Sequence, residues 1–217
     1  MRKSLIRLPV VLLSGLLSCT PVMAGSFSAG AGIGVATGGE DASSLNQQLI
    51  DSGFTASAST SGDIRTSWKT FIAYHFDEKW GVNLSYIDLG EATVSFSGIN
   101  VPIDVLLGSI GEIHPRTAQG TKLSVSYQHQ LNKSMHVRAL LGVFDWDASY
   151  SLNGVNSAMQ PVTRKVEQMG TDVSVGFGLV HRLTNDMSWH IDWDFYEIDS
   201  EPVNVFSFAL SYKFKLR

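Results

Sequence analysis

From Val205 to Leu216 the chain sorts its side chains by parity. Even positions carry Phe206, Phe208, Leu210, Tyr212, Phe214 and Leu216, while odd positions carry Val205, Ser207, Ala209, Ser211, Lys213 and Lys215. A helix would scatter these apolar groups around its axis, whereas a strand puts them on one face. The same period of two runs through most of the chain, and it narrows the choice of fold more than any other feature. Residues 26–37 set Phe27, Ala29, Ala31, Ile33 and Val35 against Ser28, Gly30, Gly32 and Gly34. Residues 63–76 set Ile64, Trp68, Ile72, Tyr74 and Phe76 against Arg65, Ser67, Lys69 and His75. Residues 122–131 set Leu123, Val125, Tyr127 and Leu131 against Lys122, Ser124, Ser126, Gln128 and Gln130. Segments 172–183 and 188–198 follow suit, with Val173, Val175, Phe177 and Leu179, then Trp189, Ile191, Trp193 and Phe195. In 135–150 the apolar face starts on Met135, Val137, Ala139, Leu141 and Val143, then moves to Phe144, Trp146, Ala148 and Tyr150. That switch predicts a bulge near Val143.

With the strand that opens at Trp80 the reading reaches eight strands, all antiparallel. Their connections alternate in length. Residues 77–79, 132–134 and 184–187 are tight turns, whereas 38–62, 98–116 and 152–166 are long, and 200–204 is a short fourth loop on the long side. Tight turns at one end and long loops at the other describe an all-β, eight-stranded, antiparallel up-and-down transmembrane β-barrel. Within the first long loop, Ser44 predicts the cap of a short helix carrying Leu45, Leu49 and Ile50 and ending at Gly53.

A soluble eight-stranded barrel has the same period with its apolar face inward. Here the minority face carries glycines and then ionic groups: Arg65, Lys69, Lys122, Arg138, Asp172, Asp192 and Asp194. An eight-stranded interior is narrow enough for such side chains to fill it and pair. The apolar face crowds aromatics beside the turns, namely Tyr74, Phe76, Trp80, Tyr127, Trp189, Tyr212 and Phe214. Those are the positions of a headgroup girdle. Strands of ten or more residues match the roughly 9–11 of a tilted membrane strand. The apolar face therefore points to lipid.

The first 24 residues read differently. Arg2, Lys3 and Arg7 precede an apolar run from Leu8 to Leu17 and the small-residue exit Val22-Met23-Ala24, which predicts a cleaved export signal over 1–24 and one domain over 25–217. Leu16-Leu17-Ser18-Cys19 is a rival, lipoprotein-type processing site. Cleavage after Ala24 removes the only cysteine and three of the 16 basic residues, so 13 face 20 acidic ones, a formal charge of −7. That balance speaks against a nucleic-acid partner.

Certain stretches resemble a known family. Tyr74-His75-Phe76-Asp77-Glu78-Lys79-Trp80, followed by Tyr86-Ile87-Asp88-Leu89-Gly90, is similar to the second hairpin of the OmpA-like outer-membrane β-barrels. Leu141-Gly142-Val143-Phe144-Asp145-Trp146-Asp147-Ala148 resembles their fifth strand, and the aromatic last strand resembles the signal read by their assembly machinery. Two departures stand out: Phe214 is followed by Lys-Leu-Arg, and no peptidoglycan-binding domain follows the barrel. The resemblance implies a surface porin of the outer membrane, held in lipid and lipopolysaccharide and inserted by the barrel-assembly machinery. It implies a role in envelope integrity and loop display.

Three features could carry further chemistry. Counted from the turns, Arg138 and Asp192 sit equally deep, as do Lys69 and Asp194, so the lumen holds either a permanent ionic network or a gated plug. The loop residues Val101, Ile103, Val105, Leu106, Leu107 and Ile110 form an apolar patch, which suits a port for apolar solutes, a surface partner, or packing over the barrel mouth. The six histidines show no close metal-ligand spacing, and Ser188 with His190 falls at the turn end, away from where a lipid A-modifying enzyme of this shape would work. No catalytic residue, metal or cofactor is expected. A structural role leads, with a narrow channel and then a lipid A-modifying enzyme as alternatives.

Overall fold

The structure is a computed structural model that describes residues 25–38, 42–55, 57–61, 64–91, 93–97, 105, 117–156, 158 and 160–215. The 1–24 segment and the loop residues Val101, Ile103, Leu106, Leu107 and Ile110 lie outside the described residues. In chain order the elements are β1 (Ser26–Gly38), α1 (Ala42–Asp51), β2 (Ser57–Ser61), β3 (Ile64–His75), β4 (Trp80–Asp88), β5 (Thr93–Ser97), β6 (Gln119–Gln130), β7 (Met135–Val155), β8 (Pro161–Arg182), β9 (Met187–Ile198) and β10 (Glu201–Lys215).

Eight of these strands close a barrel. β1 pairs with β3, β3 with β4, β4 with β6, β6 with β7, β7 with β8, β8 with β9, β9 with β10, and β10 returns to β1, every pair antiparallel. Closure leaves no unpaired backbone edge in hydrocarbon, where each orphaned group costs several kcal/mol. β2 and β5 stand outside the barrel: β2 pairs with β5, and β5 runs parallel to the top of β7.

The three turns at one end share one device. Asp77 accepts hydrogen bonds from the amides of Lys79 and Trp80, Asn132 from Ser134 and Met135, and Thr184 from Asp186 and Met187. Backbone bonds close each turn as well, from Phe76 to Trp80, from Leu131 and Asn132 to Met135, and from Leu183 and Thr184 to Met187. A short polar side chain satisfying amides two and three residues on is why these residue types sit there.

Several expectations change at the loop end. The stretch 152–166 is mostly ladder, because β7 and β8 run 21 and 22 residues and leave only 156–160 between them. Parity hides this extension, since above the membrane neither face needs to be apolar. β10 starts at Glu201, so the expected loop at 200–204 shrinks to Asp199-Ser200, both at positive φ (52° and 70°). That is the geometry of a two-residue hairpin turn with the twist of the strands it joins.

No bulge occurs at Val143: the β6–β7 and β7–β8 registers run unbroken from Met135 to Asp147. His136, Arg138, Leu140, Phe144, Trp146 and Ala148 all point inward, and Val137, Leu141, Val143, Asp145 and Asp147 outward. The apolar face changes side because the strand leaves the lipid, not because the backbone slips. Helix α1 begins at Ala42, so Ser44 lies within it and is not its cap. It buries Leu45 and Leu49, leaves Ile50 exposed, and ends at Gly53 (φ 79°). There Gly53 donates to Ile50 and Phe54 to Leu49, a Schellman closure.

Candidate functional site

Exposure settles which face is inside. Ile33, Leu141 and Ile72 are 68%, 62% and 53% exposed, whereas Asp192, Asp194, Lys122 and Arg65 are 1–3% exposed. A protein in water does not bury its charges and bare its aliphatic residues in this way, but a barrel solvated by lipid does.

The lumen is built in three layers. At the loop end an apolar plug fills it: Ala36, Ile87, Leu89, Ala118, Phe144, Trp146, Ala148, Tyr196, Ile198, Val203 and Val205 form one buried cluster. Phe144 and Tyr196 meet ring to ring at 5.0 Å. Arg65 lies at this level, donating from Nε to the Leu89 carbonyl and from Nη1 to that of Gly38, both at 3.2 Å. Asp172 also belongs here, accepting from the Trp146 indole at 2.8 Å and the Asp199 amide at 3.1 Å.

Below the plug lies the ionic layer. Arg138 grips Asp192 with two bonds, Nε–Oδ1 at 3.0 Å and Nη2–Oδ2 at 2.6 Å. Lys69 bridges Asp192 at 2.9 Å and Asp194 at 3.0 Å, and Lys122 holds the other Asp194 oxygen at 2.8 Å. Lys122 also sits 5.0 Å over the Tyr196 ring, joining the layer to the plug. Five of the seven expected lumen charges thus form one chain, while Arg65 and Asp172 serve the level above. Room for the carboxylates comes from β8: a Cβ on Gly178 would collide with Asp192 Oδ1 and lie 3.2 Å from Arg138 Nε, and one on Gly176 would lie 2.5 Å from Asp194 Oδ1. Voids of about 20 and 10 Å³ flank the layer, room for about one water each.

The third layer is a cavity of about 360 Å³ that opens at the turn end and stops at Arg138 and His190. Its wall is polar, with His75, His136, His190, Asn83, Ser28 and Ser211 among the groups facing it.

On the outside, the seven expected turn-end aromatics pack as a belt. Tyr74 meets Phe27 and Phe76, Trp80 meets Tyr127 at 5.0 Å, Tyr212 meets Phe214 at 5.1 Å, and Trp189 stacks on His181. Toward the loop end lie two further aromatic groups, on β3–β4 and on β8–β10, which parity alone does not reveal. Trp68 packs on Tyr86 and donates to Asp88, and Trp193 packs between Phe177 and Phe206 and donates to Asn204. Trp68 and Phe76 lie eight residues apart on one face, which is roughly 20 Å along the membrane normal for a tilted strand. Just beyond these groups, Thr171 pairs with Asp145 and Gln119 with Asp147 on the outer surface, so the lipid ends there. Of the apolar loop patch only Val105 is described, and it is 52% exposed.

A family model described as "Outer membrane protein beta-barrel domain" matches residues 10–214. No curated protein sequence matches the chain. Among solved structures, Neisserial surface protein A (NspA) is similar with a TM-score of 0.50 at 11% identity, covering 87% of this chain and 97% of that one. The N-terminal β-barrel domain of Pseudomonas aeruginosa OprF gives 0.49 at 11% identity over 88% and 99%. OprG from Pseudomonas aeruginosa gives 0.48 at 13% identity over 89% and 98%.

Proposed function

The chain belongs to the outer membrane protein β-barrel domain family, and from that premise we propose that it is a closed-lumen barrel with a structural, non-enzymatic role in the outer membrane. In this reading it stiffens the envelope and holds its loop-end structure above the surface. The observation that carries this is the pair of stacked seals, an apolar plug resting on a buried ionic layer whose flanking voids have room for about one water each. A path for a solute, polar or apolar, would have to break at least four buried ion pairs and then part the aromatic plug. Breaking one buried pair alone costs about 3–5 kcal/mol. The channel reading lacks a comparable supporting feature among the described residues.

The ends of the barrel suit the structural reading. Aromatic groups at both interfaces fix its depth in lipid, and the long β7–β8 hairpin, flanked by β5 and β2, gives the exposed part a rigid frame. An export signal over 1–24 and delivery through the barrel-assembly machinery to a bilayer of lipid and lipopolysaccharide complete the proposal.

The experiment is deletion of the gene in its own host with two readouts: leakage of a periplasmic marker under detergent stress, and growth on small solutes at limiting concentration. The structural role predicts leakage and unchanged growth. Normal retention with impaired growth on a solute would make the protein a transport channel and overturn the reading.

A further inference from the structure

We propose that the turn-end half of the lumen is a binding cup for a small oxyanion, a phosphate or sulfate group, reached from the periplasm. The proposal goes beyond the structural role and does not depend on it. Three of the chain's six histidines, His75, His136 and His190, line this one cavity of about 360 Å³. His136, His190 and Asn83 are 4–5% exposed. The Nδ1 atoms of His136 and His190 and the Nδ2 of Asn83 have no hydrogen-bond partner. His190 is held from its other side, where Nε2 meets Ser211 Oγ at 2.6 Å. Buried polar atoms left unmatched around a cavity of ligand size are what a site looks like without its ligand.

Charge decides the class of ligand. The roof is the ionic layer, where Lys69, Lys122 and Arg138 outnumber Asp192 and Asp194, so it carries a formal charge of +1. On the walls, β8 adds Arg182 and β10 adds Lys213, and neither closes an ion pair among the described residues. The charges bearing on His75 are Lys213, Arg138 and Arg182, all cationic. Those bearing on His190 are Arg138, Lys69 and His75 against Asp192, and on His136 Arg182 against Glu78. From β1 and β4 come only neutral groups, such as Ser28 and Asn83.

Three carboxylates, Asp77, Glu78 and Asp186, line the mouth of the cavity at the turns, below the cationic roof, and Asp77 is spent on the amides of Lys79 and Trp80. Low-dielectric lipid around the barrel focuses the inner positive field into the cup. An oxyanion can accept from Asn83, from the imidazoles and from Arg182 at once. Each imidazole offers one N–H when neutral and two when protonated, so anion and proton reinforce each other. Binding therefore tightens as pH falls, because the bound anion raises the proton affinity of the imidazoles around it.

The test uses the whole barrel refolded in alkyl-maltoside micelles, which contain no phosphate, with its histidines labelled with nitrogen-15. Sodium sulfate is the probe, because its charge does not change between pH 5.5 and 7.5. The expected result is a saturable shift of the His75, His136 and His190 signals, with His129 and His181 on the outer face unmoved. Affinity should rise on the order of tenfold between pH 7.5 and 5.5, and R182Q/K213Q should lower it about tenfold while leaving the heat-shifted gel mobility intact. A second arm replaces sulfate with a short-chain phosphatidylglycerol. The same three signals moving there would make a lipid headgroup one source of the anion, and their silence would leave the free ion. Sulfate shifting no lumen histidine, shifting His129 and His181 as much as the lumen three, or matching chloride at equal ionic strength would overturn the proposal.

Discussion

Replacing Asp192 by Asn tests the ionic layer at its centre, because the change keeps the shape of the side chain and removes only its charge. Asp192 is 1% exposed and takes three charge-assisted bonds, two from Arg138 at 3.0 and 2.6 Å and one from Lys69 at 2.9 Å. With charge centres about 4 Å apart and an effective dielectric near 20, each cation contributes about 4 kcal/mol of attraction. Desolvation offsets much of that total in the intact barrel. It is not recovered when Asp192 alone is neutralised, because Arg138, Lys69 and Lys122 then share one carboxylate. The expected loss is about 3–5 kcal/mol. Arg138→Met alone should cost a similar amount, because Asp192 then keeps only Lys69, which it shares with Asp194. The double variant, D192N/R138M, should lose at least about 2 kcal/mol less than the sum, since each partner removes the other's orphaned charge. Urea unfolding in lipid vesicles, followed by tryptophan fluorescence and heat-shifted gel mobility, measures all three. A cost for D192N below about 1 kcal/mol, or strict additivity in the double variant, would mean the layer is solvated and the argument for a sealed lumen fails.

Other outcomes follow from the same geometry. Leu210→Arg, on the lipid face of β10, should cost about 2–4 kcal/mol, and Phe206→Arg, in a loop-end aromatic group, about 1 or less; equal costs in vesicle unfolding would misplace the bilayer. Gly178→Ala should cost about 1–3 kcal/mol by driving a methyl into Asp192, and a silent change in the same assay would show that the carboxylate has slack. The Asp77 carboxyl is held below its ordinary range, first by the Trp80 amide and then by that of Lys79. A depressed carboxyl stabilises the fold above its unfolded pKa, and that contribution is lost as pH falls through the folded value. Asp77→Ala should therefore unfold more easily than the parent at pH 7, with the gap closing below about pH 4; a gap independent of pH would remove the ionised carboxylate from the turn's account.

The parts of this molecule legible in its sequence are those where lipid imposes a rule. Between Val137 and Val143, or Phe206 and Phe214, every outward residue must be apolar, so parity alone places the strand and its faces. The depths of Arg138 and Asp192 can be counted because β7 and β9 both rise from four-residue turns of the same design. Beyond the lipid the rule lapses. Phe144 and Trp146 are as apolar as Leu141, yet they point inward, and only the alternating Asp145 and Asp147 show that the environment, not the backbone, has changed. For the same reason the 161–166 stretch of β8, which lacks a sorted apolar face, reads as loop although it is paired throughout with β7. Asp172 looks like a lumen charge by parity, but it lies at the height of the plug and is used by the Trp146 indole. The collection of three histidines around one cavity depends on how β3, β7 and β9 are brought together by closure, which no single strand records.

The measurement that bears most directly on the account is solute flux through liposomes holding the refolded barrel, with a small sugar and an apolar dye compared. A lumen sealed by the plug and the ionic layer predicts flux equal to that of empty liposomes for both, from protein shown to be folded by its heat-shifted mobility. Flux of either solute through the intact wild-type barrel would contradict the seal, and the solute that passed would show whether the polar or the apolar layer had opened.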